Sequence, residues 1–134
     1  VNSAIEIMKL EKLENRIFDS LSGGEKQRVM AARAIAQDAE WTILDEPSSN
    51  LDVKHTSLIM NNMRDLCENS GKSFIVVLHD INDAVRYGDV LLMMKGGKLI
   101  RVTDKPQVSD FEMIFDTTFD VVTTQEGRNL FYSK

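Results

Sequence analysis

Apolar and polar positions divide the chain into helical and extended stretches. Ala4, Ile5, Met8 and Leu13 recur at roughly helical spacing, which predicts an amphipathic helix over the first dozen residues. Positions 15–20 read as a loop. A second helix opens at Gly23-Gly24 and takes its apolar content from Val29, Met30, Ala32, Ala34 and Ile35. The run 41–44 is continuously apolar and is stopped by Asp-Glu-Pro, as in a short buried parallel strand. A Pro-Ser-Ser-Asn turn leads into a helix from about 52 to 69, with Leu58, Ile59, Met63 and Leu66 on its apolar side and Ser70-Gly71 as its stop. Residues 74–78 predict a second buried strand and 81–87 a short helix. Strands at 90–94 and 98–102 surround Gly96-Gly97, most simply as a hairpin. Ser109 is the expected cap of a helix reaching about 115. Segments 121–124 and 130–132 flank Gly127 as a last hairpin.

Strands alternating with helices imply an α/β fold with a partly parallel sheet. Ligands of such sheets bind beyond the carboxyl ends of the strands. Asp45-Glu46 and His79-Asp80 both fall at such ends, so periodicity alone marks them as candidates.

Composition adds limits. The 134 residues suit one domain or a large piece of one, and 43% hydrophobic residues suffice for a core. The net charge of -5 gives no general electrostatic footprint for nucleic acid. No apolar run approaches the ~20 residues of a membrane-spanning helix. The lone Cys67 cannot form an internal disulfide, which suits a reducing compartment. The chain starts at Val1 without a signal-peptide core or an initiator Met, as a piece of a longer chain would.

Ser22-Gly23-Gly24 lies at a predicted helix start. Free N–H groups, a partial positive charge, a hydroxyl donor and close backbone approach make a phosphate site there. Taken alone, the tripeptide reads more simply as an ordinary serine cap with a Gly-rich turn, since serine caps are common. The octet Leu21-Ser22-Gly23-Gly24-Glu25-Lys26-Gln27-Arg28, followed by an Ala/Arg-rich helix, is more specific and resembles the signature motif of ABC ATPases. That family closes its signature over the ATP held by a partner domain. Glu25 stands where many members carry Gln.

Further motifs follow in the family's order. Ile43-Leu44-Asp45-Glu46-Pro47 resembles the Walker B strand, which implies magnesium at Asp45 through water and a catalytic role for Glu46. Ser48-Ser49-Asn50-Leu51-Asp52 resembles the D-loop, with Asp52 also a plausible local cap. His79 takes the place of the switch histidine, which would hydrogen-bond the γ-phosphate. His55 has no such warrant and reads as an exposed or packing helix residue. The seven methionines are dispersed and read as core filling rather than a metal site.

The family's P-loop, Gly-x4-Gly-Lys-Ser/Thr, is missing. Gly71-Lys72-Ser73 is not one: Leu66 stands in place of the first glycine, and the tripeptide leads from helix to strand rather than strand to helix. The resemblance therefore implies a partial P-loop NTPase domain of the α/β class, with a mostly parallel sheet core, a signature helix and C-terminal hairpins. Within it, 1–37 would end the helical subdomain, 38–105 belong to the catalytic core, and 106–134 form a C-terminal extension. Leu51–His55, Val77–Asn82 and the tail around Phe115–Tyr132 are similar to ATPases of iron–siderophore importers, nearest the catecholate branch. The implied protein uses ATP and magnesium, dimerises through a second ATPase domain, and binds a membrane permease. A substrate-binding protein serves it indirectly, no nucleic acid is involved, and the ATPase sits on the cytoplasmic face of the membrane. This chain alone is expected to be inactive. The alternatives are a non-catalytic interaction module, or an importer ATPase for cobalamin or haem.

Overall fold

The structure, a computed structural model, describes residues 2–49 and 51–134. The chain forms two compact units, Val1–His79 and Asp80–Lys134.

The first unit begins with α1 (Asn2–Ile7), which is shorter than the predicted helix. The reason lies at its end. Lys9 enters the left-handed region at φ 53, Leu10 N–H donates to Ile5 O at 2.9 Å, and Lys9 N–H donates to Glu6 O at 3.0 Å. This pair of bonds is a Schellman ending, here built without the usual glycine. Buried Leu10 supplies its apolar contact. Side chains from later in the chain hold the remaining carbonyls: Arg28 Nη1 donates to Met8 O and Lys9 O, and Asn62 Nδ2 to Ile7 O at 2.7 Å. Residues 11–13 and 18–20 then form two short 3-10 turns.

Next come α2 (Gly23–Ala36), β1 (Trp41–Asp45), α3 (Val53–Ser70) and β2 (Ser73–Val77). β1 and β2 pair in parallel, Trp41 opposite Ser73 and Asp45 opposite Val77, with α3 as the crossover. Ala4, Met8, Leu21, Ala31, Ile59 and Met63 are among its buried core residues. The expectation that both strands are buried holds for one face only. Thr42, Leu44, Phe74 and Val76 are partly covered, whereas Trp41 and Ile43 are 62% and 71% exposed, and Ile75 and Val77 are exposed beside them. Among the described residues of this unit no layer covers that second face.

The second unit contains α4 (Ile81–Tyr87), β3 (Leu91–Lys95), β4 (Lys98–Thr103), α5 (Val108–Phe115), β5 (Phe119–Thr123) and β6 (Asn129–Ser133). β3–β4 and β5–β6 are antiparallel hairpins. Gly96 and Gly97 both take positive φ, which the tight turn of the first hairpin requires. Met93, Phe111, Phe119 and Phe131 form the core. Asn82 of α4 pairs with the backbone of β6: its Nδ2 donates to Phe131 O and its Oδ1 accepts from Phe131 N–H at 2.8 Å. The cap of α5 is Gln107 rather than Ser109, because Gln107 N–H finds Asp110 Oδ2 at 2.9 Å in a reciprocal capping box and the helix starts earlier. Among the described residues no helix is long and apolar enough to cross a membrane.

Candidate functional site

Ser22 is the N-cap of α2. Its hydroxyl oxygen accepts from Glu25 N–H at 3.3 Å, and Glu25 Oε2 accepts from Ser22 N–H at 2.8 Å. This capping box satisfies two groups that a helix start would otherwise leave unpaired. The Ser22 backbone N–H, first, and its side chain hold the Glu25 carboxyl below its ordinary value, and Arg16 and Arg28 add to this. The two glycines differ. A side chain built at Gly23 would meet nothing within 4 Å among the described residues, whereas one at Gly24 would lie 3.0 Å from Leu51 Cδ2. One turn along α2, Gln27 Nε2 donates to Ser49 Oγ at 2.9 Å. Lys26 lies over the Phe18 ring at 5.6 Å.

At the end of β1, Asp45 is exposed and Glu46 turns into the left-handed region at φ 47. Glu46 N–H donates to Val77 O at 3.1 Å, which extends the β1–β2 pairing by one bond, and Glu46 O accepts from Ser49 N–H at 3.0 Å. The turn sends the Glu46 side chain to the end of β2, where its Oε1 lies 2.6 Å from His79 Nε2. With an ionised carboxylate, the imidazole N–H is the donor. Both groups reach solvent, with 40% of the Glu46 side chain and 78% of the His79 side chain exposed.

Asp52 caps α3, accepting from His55 N–H at 2.8 Å, and the same oxygen lies 2.8 Å from His55 Nδ1. The His55 backbone bond is the main cause of the lowered Asp52 pKa. Gly71 is the left-handed end of α3 at φ 62, and Lys72 is tied to Asp38, donating to its carbonyl and its carboxylate at 2.8 Å. The Gly-Lys-Ser tripeptide thus sits at a helix end in a local ion pair. Met8, Met60, Met63 and Met93 are buried as packing residues.

The expected site residues fall into two groups in the first unit. At the start of α2, Ser22 and Glu25 bond to each other, Gly24 stands against Leu51 and Gly23 beside it, while Asp52 caps α3; Asp45, Glu46 and His79 stand at the strand ends. Gln27 and Leu51 are contacts that sequence reasoning left unassigned. One signal was available: positions 24 and 27 share a helix face at i, i+3. Among the described residues no three His, Cys, Asp or Glu converge as a metal site. An exposed carboxylate at a strand end still fits magnesium, which keeps several waters and takes one or two carboxylates beside substrate phosphates.

The fold is similar to that of solved structures. A metal-chelate type ABC transporter in an inward-facing conformation matches with a TM-score of 0.86 over 98% of this chain and 55% of that chain, at 23% identity. A dimeric ATP-binding cassette in a post-hydrolysis state, bound to ADP and Pi, matches with a TM-score of 0.71 and 36% identity, over 76% of this chain and 44% of that chain. The fold is therefore part of an ATP-binding cassette of the P-loop NTPase class. Residues 1–49 match the ABC transporter family model. The petrobactin import ATP-binding protein YclP of Bacillus subtilis (strain 168) is 38% identical over 96% of this chain and 52% of its own length. The hemin import ATP-binding protein HmuV of Rhizobium leguminosarum is 37% identical over 87% and 45%. The chain belongs to the family of ABC transporter ATP-binding proteins, and it spans about half the length of the curated relatives it matches.

Proposed function

We propose that this chain supplies the signature, water-activating and switch groups of an importer ATPase that energises uptake of iron–siderophore complexes. The observation that carries the reading is the contact between Glu46 and His79, which places a carboxylate and an imidazole together at the ends of two parallel strands. Glu46 would accept the proton of the attacking water, and His79 would orient Glu46 and hydrogen-bond the γ-phosphate. Magnesium, held by Asp45 through water, would neutralise phosphate charge. Ser22, Gly23, Gly24 and Glu25 would close over ATP bound by a second cassette, with Asp52 fixing the turn beside them. A membrane permease and, outside, a substrate-binding protein complete such a system, with the ATPase on the cytoplasmic face. These 134 residues carry no Gly-x4-Gly-Lys-Ser/Thr motif, so hydrolysis belongs to a cassette completed with a P-loop half.

The test uses such a cassette, made by fusing the N-terminal half of the Bacillus subtilis relative ahead of this chain. Magnesium-dependent ATP turnover is expected, with Glu46→Gln lowering kcat by roughly a hundredfold or more. A completed cassette no faster than its Glu46→Gln variant would instead be a non-catalytic interaction module. Cargo is a separate matter, because haem importers are nearly as similar as siderophore importers. A deletion strain that no longer grows on a catecholate siderophore but still grows on haem supports the first reading, and the reverse supports the second.

A further inference from the structure

Two contacts join the start of α2 to the segment after β1. Gly24 leaves room for Leu51 Cδ2, which would stand 3.0 Å from any Cβ there, and Gln27 Nε2 reaches Ser49 Oγ at 2.9 Å. Carbon atoms prefer about 3.5–4.0 Å, so an added methyl at Gly24 must push Leu51 aside. At Gly23 no described residue would come within 4 Å of an added Cβ. Neither glycine takes a positive φ, so backbone conformation does not explain the pair. The absence of a side chain serves a different end at each: at Gly23 it clears the outward approach, and at Gly24 it admits a neighbour from the same chain.

We infer that Gly24 is a packing socket for Leu51 and that Gln27 and Ser49 latch the same two segments, so that the signature loop moves as one rigid edge with Ser49 and Leu51. Gln27, Ser49 and Leu51 are positioning residues. Local turn bonds prepare this edge: Ser49 N–H donates to Glu46 O, and Leu51 N–H donates to Ser48 O at 3.2 Å. The first of these carries the edge back to Glu46. Displacement of α2 by a nucleotide or a neighbouring subunit therefore moves the turn that begins at Glu46. The kinetic consequence rests on the function proposed above; the mechanical coupling does not.

The test is a pair of double-mutant cycles in the completed cassette, read by amide hydrogen exchange without nucleotide and by steady-state ATP turnover. Gln27→Ala and Ser49→Ala should each speed exchange at the Ser49 and Leu51 amides by roughly three- to tenfold, and the double variant by no more than either alone. Ser49→Thr, which keeps the hydroxyl, should restore slow exchange. Gly24→Ala should speed exchange at these amides, whereas Gly23→Ala should not. Introduced into Leu51→Ala, Gly24→Ala should change nothing further. In turnover, Gln27→Ala should lower kcat with KM unchanged. Additive cycles, or equal exchange effects at Gly23 and Gly24, overturn the inference even where the cassette is active. Non-additive exchange in a cassette without turnover keeps the coupling and removes the ATPase reading.

Discussion

At the scale of single residues, Glu46 holds a backbone conformation that costs energy. Side chains with a Cβ rarely occupy the left-handed region, and its φ of 47 is imposed by the bond from its N–H to Val77 O. Removing the carboxylate in two ways separates this strain from chemistry. Glu46→Gly should be more stable than Glu46→Ala by roughly 1 kcal/mol, the reverse of the usual order, because only glycine takes this conformation freely. Urea denaturation of the two variants reads the difference, and an Ala variant at least as stable as Gly would show that the turn is unstrained. Both should be inactive in a completed cassette. The positions of Glu46 and His79 were legible in the sequence as polar residues ending apolar runs. Their contact was not, since the residues lie far apart in the chain and meet only through the parallel register that sets Asp45 opposite Val77. Gln27 was legible as part of the signature octet, but nothing in its neighbourhood named Ser49 as its partner.

At the scale of elements, local rules explain the helices whose signals are local. α2 starts at Ser22 and α3 at Asp52 because each cap oxygen meets a backbone N–H three residues on. Ser22→Ala should therefore cost about 1 kcal/mol, measured by thermal or denaturant unfolding. Both capping carboxylates have lowered pKa values, Glu25 from 4.5 through the Ser22 N–H and Asp52 from 3.8 through the His55 N–H. A depressed folded-state pKa gives stability that is present above the unfolded value and lost as pH falls through the folded one. The α2 cap should accordingly weaken below about pH 4.5 and the α3 cap below about pH 3.8, each by protonation of its carboxylate. Acid titration followed by circular dichroism checks this. Glu25→Gln should remove the Glu25 contribution to the slope, and an unchanged profile would dismiss the box as a pH-dependent support. Element boundaries were misread where the ending lacks its usual residue. α1 ends in a left-handed lysine rather than a glycine, with Arg28 and Asn62 taking its remaining carbonyls, and α5 starts early because Gln107 and Asp110 close a local box that the sequence shows only once the start is known.

At the scale of the whole molecule, the α/β class was legible because strand and helix periods differ, but burial was not. Periodicity reports that a position is apolar; it does not name the layer that covers it. Parallel sheets normally have both faces covered. Here Trp41, Ile43, Ile75 and Val77 form a bare apolar face in the first unit, and Leu92, Met94, Leu99 and Val102 are exposed on the β3–β4 hairpin of the second. The chain spans about half of its relatives' length, so a covering layer has material to come from in a complete cassette. The two situations predict opposite effects of the same substitution. In the 134-residue chain alone, Ile43→Thr with Ile75→Thr should reduce self-association, read by light scattering, because each removes exposed apolar surface. In the completed cassette the same pair should lower stability, by about 1 kcal/mol or more per site, because a buried ethyl group is lost and a hydroxyl is buried in its place. If the pair is neutral in the completed cassette, this face is solvent-exposed in both forms and its covering layer lies elsewhere.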